Sequence, residues 1–309
     1  MPYSPIRKLI PLSDETAKKG IKIYRLNMGQ PDLDSPKVAL DAVRENKLSI
    51  ISYPNSLGDL PLREGMVGYY KKIGIDVETK DIIVTHGGSE ALQIAIEAVC
   101  DPADEIIVFE PFYTNYNTFS IMFDARLVPI TTTIESGFAL PPMSEVEKVI
   151  TPRTKAILIC NPANPTGKLY SEEDVRQLCS IARKHGLFII ADEVYREFCY
   201  TDKPHFSFMQ VPGMEDNIIL IDSVSKRYSM CGARVGFIVS RNKGFMPLVL
   251  KYAQARLCCS KWGQIAALAA LDTPQEYFDA VKKEYLKRRR ILVEGLNKSG
   301  NIPVKIVYK

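Results

Sequence analysis

The sequence predicts an α/β fold, a large domain built on a mainly parallel seven-stranded sheet covered by helices. Short β-branched runs alternate with longer helical patterns through most of the chain. The runs are mostly apolar, as suits strands covered on both faces. Polar residues gather just past the ends of these runs, where parallel sheets bind their ligands.

Taken in order, the first forty residues are rich in proline (Pro2, Pro5, Pro11, Pro31, Pro36) and read as an arm followed by an extended segment. Ile82-Ile83-Val84 predicts the first strand, and a helical pattern follows over 89–99. Strands are then expected at 105–109, 126–128, 156–159, 187–190, 218–221 and 235–239, with helices at 114–123, 171–184 and 246–257 between them. The helix at 171 has the strongest end signals. Ser171 supplies a hydroxyl cap, Glu172, Glu173 and Asp174 put acids in the first turn, and His185-Gly186 closes it. After Thr273 the pattern returns to long helix (277–296), and residues 301–309 read as the start of a strand.

At 309 residues the chain holds one large domain or two smaller ones, taking about 150 residues per domain. Hydrophobic residues make up 46% and charged residues 25%, so a sizeable core can form and wholesale disorder is excluded. Forty basic against thirty-six acidic residues leave a net charge of +4, too little to argue for nucleic acid or a membrane surface. The densest basic run, Lys287-Arg288-Arg289-Arg290, sits in a helical pattern and reads as a solvated face. Seven cysteines form an odd set without a C-x-x-C pair, several of them in apolar runs. They read as free thiols in a reducing compartment, with the cytoplasm as the expected location. Three scattered histidines make a Cys/His metal site unexpected. No apolar stretch reaches the length needed to span a bilayer, and the N-terminus has no signal core.

Four segments past strand ends carry the chemistry. The first, Thr85-His86-Gly87-Gly88-Ser89, offers glycines for close backbone approach and a hydroxyl in the first helical turn. It is either a phosphate cradle or an ordinary Gly-Gly-Ser loop. Asn161-Pro162-Ala163-Asn164-Pro165-Thr166-Gly167 is a rigid turn, or a rigid turn that aims an Asn amide at a ligand. Ala191-Asp192-Glu193-Val194-Tyr195 places a carboxylate near a phenol, enough to pair with a cationic ring nitrogen. Asp222-Ser223-Val224-Ser225-Lys226 puts an amine among hydroxyls with Arg234 eight residues on. It is either a solvated basic loop or a Schiff-base lysine beside a dianion site.

In order and spacing the four segments resemble the pyridoxal-phosphate-dependent aminotransferases of fold type I, the aspartate aminotransferase-like class I/II family. The resemblance runs from Gly29-Gln30-Pro31-Asp32 through Tyr53-Pro54-Asn55-Ser56-Leu57-Gly58 to Arg234-Val235-Gly236. It implies that Lys226 forms the Schiff base with pyridoxal 5'-phosphate and later shuttles a proton at the substrate Cα. Asp192 then pairs with the pyridinium nitrogen, Tyr195 and Asn164 with the cofactor's phenolic oxygen, and Tyr113 stacks on the ring, the alternative for Tyr113 being a core aromatic. Gly87, Gly88, Ser89, Ser223, Ser225 and Arg234 would hold the phosphate, helped by Tyr53 from the neighbouring subunit of a homodimer. Gly29 and Asn164 would lie against the substrate. The implied domains are an arm and part of a small domain (1–40), a large cofactor-binding domain (41–273), and a long helix opening an incomplete small domain (274–309). Complete members continue into that small domain, which supplies the arginine for the substrate's α-carboxylate, and no residue of this chain matches it.

The activity implied is transfer of an amino group from an α-amino acid to a 2-oxo acid. An acidic donor such as aspartate is favoured, with Arg256 or Lys261 near the place where relatives bind a distal carboxylate. The same motifs also suit a carbon–sulfur β-lyase, and a truncated chain that binds cofactor without full activity is a third reading. A nicotinamide dehydrogenase is disfavoured because no G-x-G-x-x-G follows a strand.

Overall fold

The computed structural model describes residues 7–25, 29–202 and 204–298. Seven strands form one sheet: β1 (Ile82–Thr85), β2 (Glu105–Glu110), β3 (Arg126–Thr131), β4 (Thr154–Cys160), β5 (Phe188–Asp192), β6 (Ile218–Ser223) and β7 (Gly236–Val239). Their order is β1-β7-β6-β5-β4-β2-β3. Only β7 runs against its neighbours, so β1 and β6 point the same way and the sheet is mainly parallel, as the sequence predicts.

Alternate residues along each strand enter two separate cores. Val84, Ile157, Ile189 and Leu220 face one side, against α2 (Lys37–Arg44), α3 (Leu60–Lys72), α6 (Met143–Lys148), α7 (Glu172–His185) and α10 (Lys261–Ala270). Ile83, Leu158, Ile190 and Ile219 face the other, against α4 (Gly88–Val99), α5 (Asn115–Met122) and α9 (Phe245–Ala255). Helices therefore bury both faces, which is why the central strands are largely apolar. The end signals of α7 form as expected. Ser171 Oγ accepts from Asp174 N–H, the Asp174 carboxylate accepts from Ser171 N–H, and Gly186 closes the helix at φ +65°.

Three features differ from the sequence reading. The arm contains a helix, α1 (Ile10–Lys18), because Pro11 falls in its first turn, where a missing N–H costs nothing. Helices α2, α3 and α10 pack on the sheet without having been expected. Gly65 and Gly68 interrupt the pattern of α3, and the Gly263 of α10 marks a close approach, since a Cβ there would lie 2.5 Å from the Ala233 carbonyl oxygen. The strand expected at 301–309 lies outside the described residues. The long helix α11 (Gln275–Lys298) forms, with Lys287, Arg289 and Arg290 exposed and Arg288 bound to Asp32 at 2.7 and 2.9 Å. Among the described residues no helix is long and apolar enough to cross a membrane. All seven cysteines are free, with Cys160, Cys179 and Cys259 buried.

Candidate active site

Strands β1, β4, β5 and β6 end on one rim of the sheet, and β7 begins there. The turn from β1 into α4 passes through Gly87 at φ +78°, a conformation that suits glycine. The N–H groups of Gly88 and Ser89 lead α4 with no carbonyl of their own helix to bond, at the positive end of its dipole. Beside them Arg234, in left-handed conformation, donates to the His86 carbonyl at 3.0 Å and to the Cys231 carbonyl at 2.8 Å. A Cβ on Gly87 would lie 2.5 Å from the Arg234 Nη2, and one on Gly236 would lie 2.6 Å from the Gly88 nitrogen. Backbone meets backbone here, so the start of β7, the first turn of α4 and a guanidinium share one small volume.

The residues after β6 make a one-turn helix, α8 (Val224–Arg227). The buried Ser223 hydroxyl caps it by accepting from Ser225 N–H at 3.1 Å. It also donates to the Val235 carbonyl at 2.9 Å and lies 2.8 Å from the Ser225 hydroxyl. Ser223 thus holds the loop together, while Arg234 and the start of α4 line the cradle. Lys226 points to the rim, where its Nζ donates to the Gly29 carbonyl at 2.7 Å and lies 5.8 Å from the centre of the Tyr195 ring. Burial lowers its pKa from the ordinary lysine value; Cys231 opposes this, Arg234 reinforces it, and Asp192 opposes it.

Asp192 ends β5 and is 4% exposed. Its carboxylate accepts from the Tyr116 hydroxyl at 2.8 Å and, at the limit of a hydrogen bond, from Val194 N–H at 3.5 Å. Burial pushes its pKa up to about 6 against the pull of Tyr116 and Val194, with Asp222 and Glu193 adding to the rise. It has no ion-pair partner among the described residues, an arrangement that buried carboxylates rarely keep. The Asn164 side-chain N–H faces the Tyr195 hydroxyl at 3.5 Å, and the burial of Tyr195 holds its phenol protonated. Tyr113 meets Tyr116 edge-on at 5.5 Å and takes a hydrogen bond from Asn115 at 2.8 Å. A cavity of about 360 Å³ opens beside Asn164, Tyr195, Phe198 and Tyr200.

These residues suit pyridoxal phosphate at both ends. A helix start stripped of side chains and flanked by Arg234 fits a phosphate dianion. A buried carboxylate without a cation fits a protonated ring nitrogen. Lys226 lies between the elements that carry them. One expected residue stands apart: Tyr53 is 82% exposed and lies outside this cluster in its own chain. Arg256 and Lys261 are both engaged internally. Arg256 lies 3.2 Å from Glu90 and donates to the Val84 carbonyl, and Lys261 lies 2.6 Å from Asp59. The sequence reading missed Tyr116, whose contact with Asp192 spans 76 residues and leaves no local signal.

The model of the class I and II aminotransferase family matches residues 21–307. An aspartate aminotransferase of Thermotoga maritima is 34% identical over 305 residues, which are 97% of this chain and 79% of that protein. One of Pyrococcus horikoshii is 32% identical over 306 residues, 98% of this chain and 76% of that protein. The solved structure of Thermus thermophilus aspartate aminotransferase with maleate superposes with a TM-score of 0.90 at 28% identity, covering 97% of this chain and 79% of that one. On its sequence and its fold alike, the chain belongs to the class I and II aminotransferases and is a pyridoxal-phosphate-dependent transferase of amino groups between amino and oxo acids.

Proposed function

We propose that this enzyme takes the amino group of aspartate and passes it to a 2-oxo acid, working as a homodimer in the cytoplasm with Lys226 as its reactive amine. One observation carries the site assignment: Asp192 is a buried carboxylate without a cationic partner among the described residues, on the same rim as a partly buried lysine and an arginine-flanked helix start. The choice of aspartate is supported by the names of the relatives from Thermotoga and Pyrococcus. Neither Arg256 nor Lys261 adds to it, because each is already paired. The dimer is supported by Tyr53, exposed among the apolar Leu48, Ile50 and Ile51. The cytoplasm is supported by the seven free thiols.

In this reading Gly87, Gly88, Ser89 and Arg234 bind the phosphate, with Ser225 beside them and Ser223 fixing their loop; the partner chain's copy of Tyr53 completes the cradle. Asp192 keeps the ring nitrogen protonated, and the Tyr116 bond orients the carboxylate. Tyr195 and Asn164 bind the phenolic oxygen, and Tyr113 covers the ring. When bound, pyridoxal phosphate supplies an electron sink for the charge that develops at the substrate Cα. Lys226 Nζ, the reactive amine, would take and return the proton at that carbon. Gly29 and Asn164 border the substrate.

Borohydride reduction of the cofactor-loaded protein, followed by digestion and mass spectrometry, tests the assignment. A pyridoxyl group on Lys226, lost in Lys226→Ala, is expected; attachment to another lysine refutes it. Aspartate should be converted to oxaloacetate beyond one equivalent per site only when a 2-oxo acid is supplied. Release of pyruvate and ammonia from cysteine conjugates without an acceptor would instead mark a β-lyase.

A further inference from the structure

The end of β6 sends side chains to both faces of the sheet. Ser223 faces the rim, and Asp222, fully buried, faces α3 on the opposite side. There the Arg227 Nη2 donates to both Asp222 oxygens at 2.8 Å, the Tyr70 hydroxyl donates to Oδ2 at 3.0 Å, and Ser223 N–H donates to Oδ1 at 2.7 Å. The guanidinium stacks 4.1 Å from the centre of the Tyr69 ring, and its Nε lies 3.3 Å from Glu197, which in turn accepts from the Tyr69 hydroxyl at 2.5 Å. Asp222 and Arg227 bracket the four residues Ser223 to Lys226. Lys226 and Arg227 are adjacent in sequence and diverge, one to the rim and one into the core.

The four-residue α8 is too short to be stable by itself, because one turn does not repay its nucleation. An ion pair beneath it is a poor way to supply stability alone. Desolvation offsets most of a buried pair's attraction, and apolar side chains of similar volume serve as well or better. The Arg227 Nη1 is buried without a hydrogen-bond partner among the described residues, which makes the guanidinium costlier still. What the pair adds is direction, fixing the azimuth of α8 from below while the Ser223 cap fixes its start.

Resting on the assignment of Lys226 as the reactive amine, we propose that Arg227, clamped by Asp222 and Tyr70, is a positioning residue that holds Lys226 against the Gly29 carbonyl and out of bulk water. It touches neither substrate nor cofactor and acts through the short helix that carries both side chains. Besides Gly29 and the Tyr195 ring, the charged or titratable groups acting on Lys226 are Cys231, Arg234 and Asp192. None of them belongs to the clamp.

The test compares the wild type with Arg227→Met, the charge-balanced Asp222→Asn/Arg227→Met double variant, and Tyr70→Phe. In cofactor-free protein, acetylation of Lys226 is followed against pH by mass spectrometry, with exposed Lys251 as internal standard. Arg227→Met should melt well below the wild type, and the double variant should recover most of the loss, since no unpaired charge stays buried. In both, the midpoint for Lys226 should rise toward that of an ordinary lysine, and borohydride trapping of pyridoxal phosphate on Lys226 should fall severalfold. Tyr70→Phe, which keeps both charges, should move both readouts the same way by less. The double variant carries the test if Arg227→Met fails to fold. Either folded variant with a wild-type midpoint and wild-type trapping overturns the proposal. A wild type that traps the cofactor at a different lysine overturns the assignment of Lys226 instead.

Discussion

Asp192 offers a direct measurement of what the site sacrifices in stability for its chemistry. Without a cofactor its carboxylate is buried against Tyr116 with no cationic partner among the described residues, and its pKa sits at about 6 against an ordinary value of 3.8. The folded pKa is the raised one, so the unfolded chain releases the proton first as pH rises. The folded state is penalised progressively from about pH 4 to about pH 6, and by a constant amount above that. At roughly 1.4 kcal/mol per pH unit the penalty reaches about 3 kcal/mol. Asp192→Asn keeps an acceptor for the Tyr116 hydroxyl and removes the charge. The cofactor-free variant should therefore be more stable than the wild type at pH 8 by up to about 3 kcal/mol, with the difference vanishing near pH 4. Urea unfolding of the two cofactor-free proteins at several pH values reads this directly. Adding pyridoxal phosphate should reverse the order, because only the wild type offers the ring nitrogen a full negative charge and gains the larger linkage stabilisation. A cofactor-free Asp192→Asn less stable than the wild type at pH 8 would show that the carboxylate is not the strained group described.

Tyr116→Phe removes the hydroxyl that favours the ionised form of Asp192. The cofactor-free variant should lose about 1 kcal/mol at pH 8, and the pH range over which its stability declines should extend above 6, as read by the same unfolding series. Gly236→Ala would push a methyl group to 2.6 Å from the Gly88 nitrogen, and backbone cannot swing aside as a long side chain can. Calorimetry should show about 1–3 kcal/mol of destabilisation, and absorbance titration should show weakened binding of pyridoxal phosphate. Ser171→Ala deletes the cap of α7 on the far side of the sheet; it should cost about 1 kcal/mol in unfolding experiments and leave kcat and KM unchanged.

How much of the site the sequence revealed follows from how local each contact is. Gly87, Asp192 and Lys226 were legible because each sits at or just past a strand end, and parallel topology brings such positions to one rim; Arg234 joins them from just ahead of the antiparallel β7. The two roles of Ser223 and Ser225 were not separable, since they differ only in which hydroxyl meets the Val235 carbonyl, twelve residues beyond Ser223. Nothing local to Arg227 marks it as buried. Its 1% side-chain exposure depends on Tyr69 and Tyr70, supplied by a helix more than 150 residues earlier. Helix α3 itself escaped notice because its two glycines break the helical periodicity.

The sequence by itself determined the alternation of strands and helices, the parallel sheet it implies, and the residue types delivered to the strand ends, because apolar periodicity and turn chemistry are properties of neighbours along the chain. Only the tertiary structure decided the partners of those residues. Asp192 has no cationic partner among the described residues, Arg256 and Lys261 are already paired, and Lys226 is next in the chain to a buried ion pair. Each of these is set by desolvation and by partners distant in sequence, which exist only once the chain has folded.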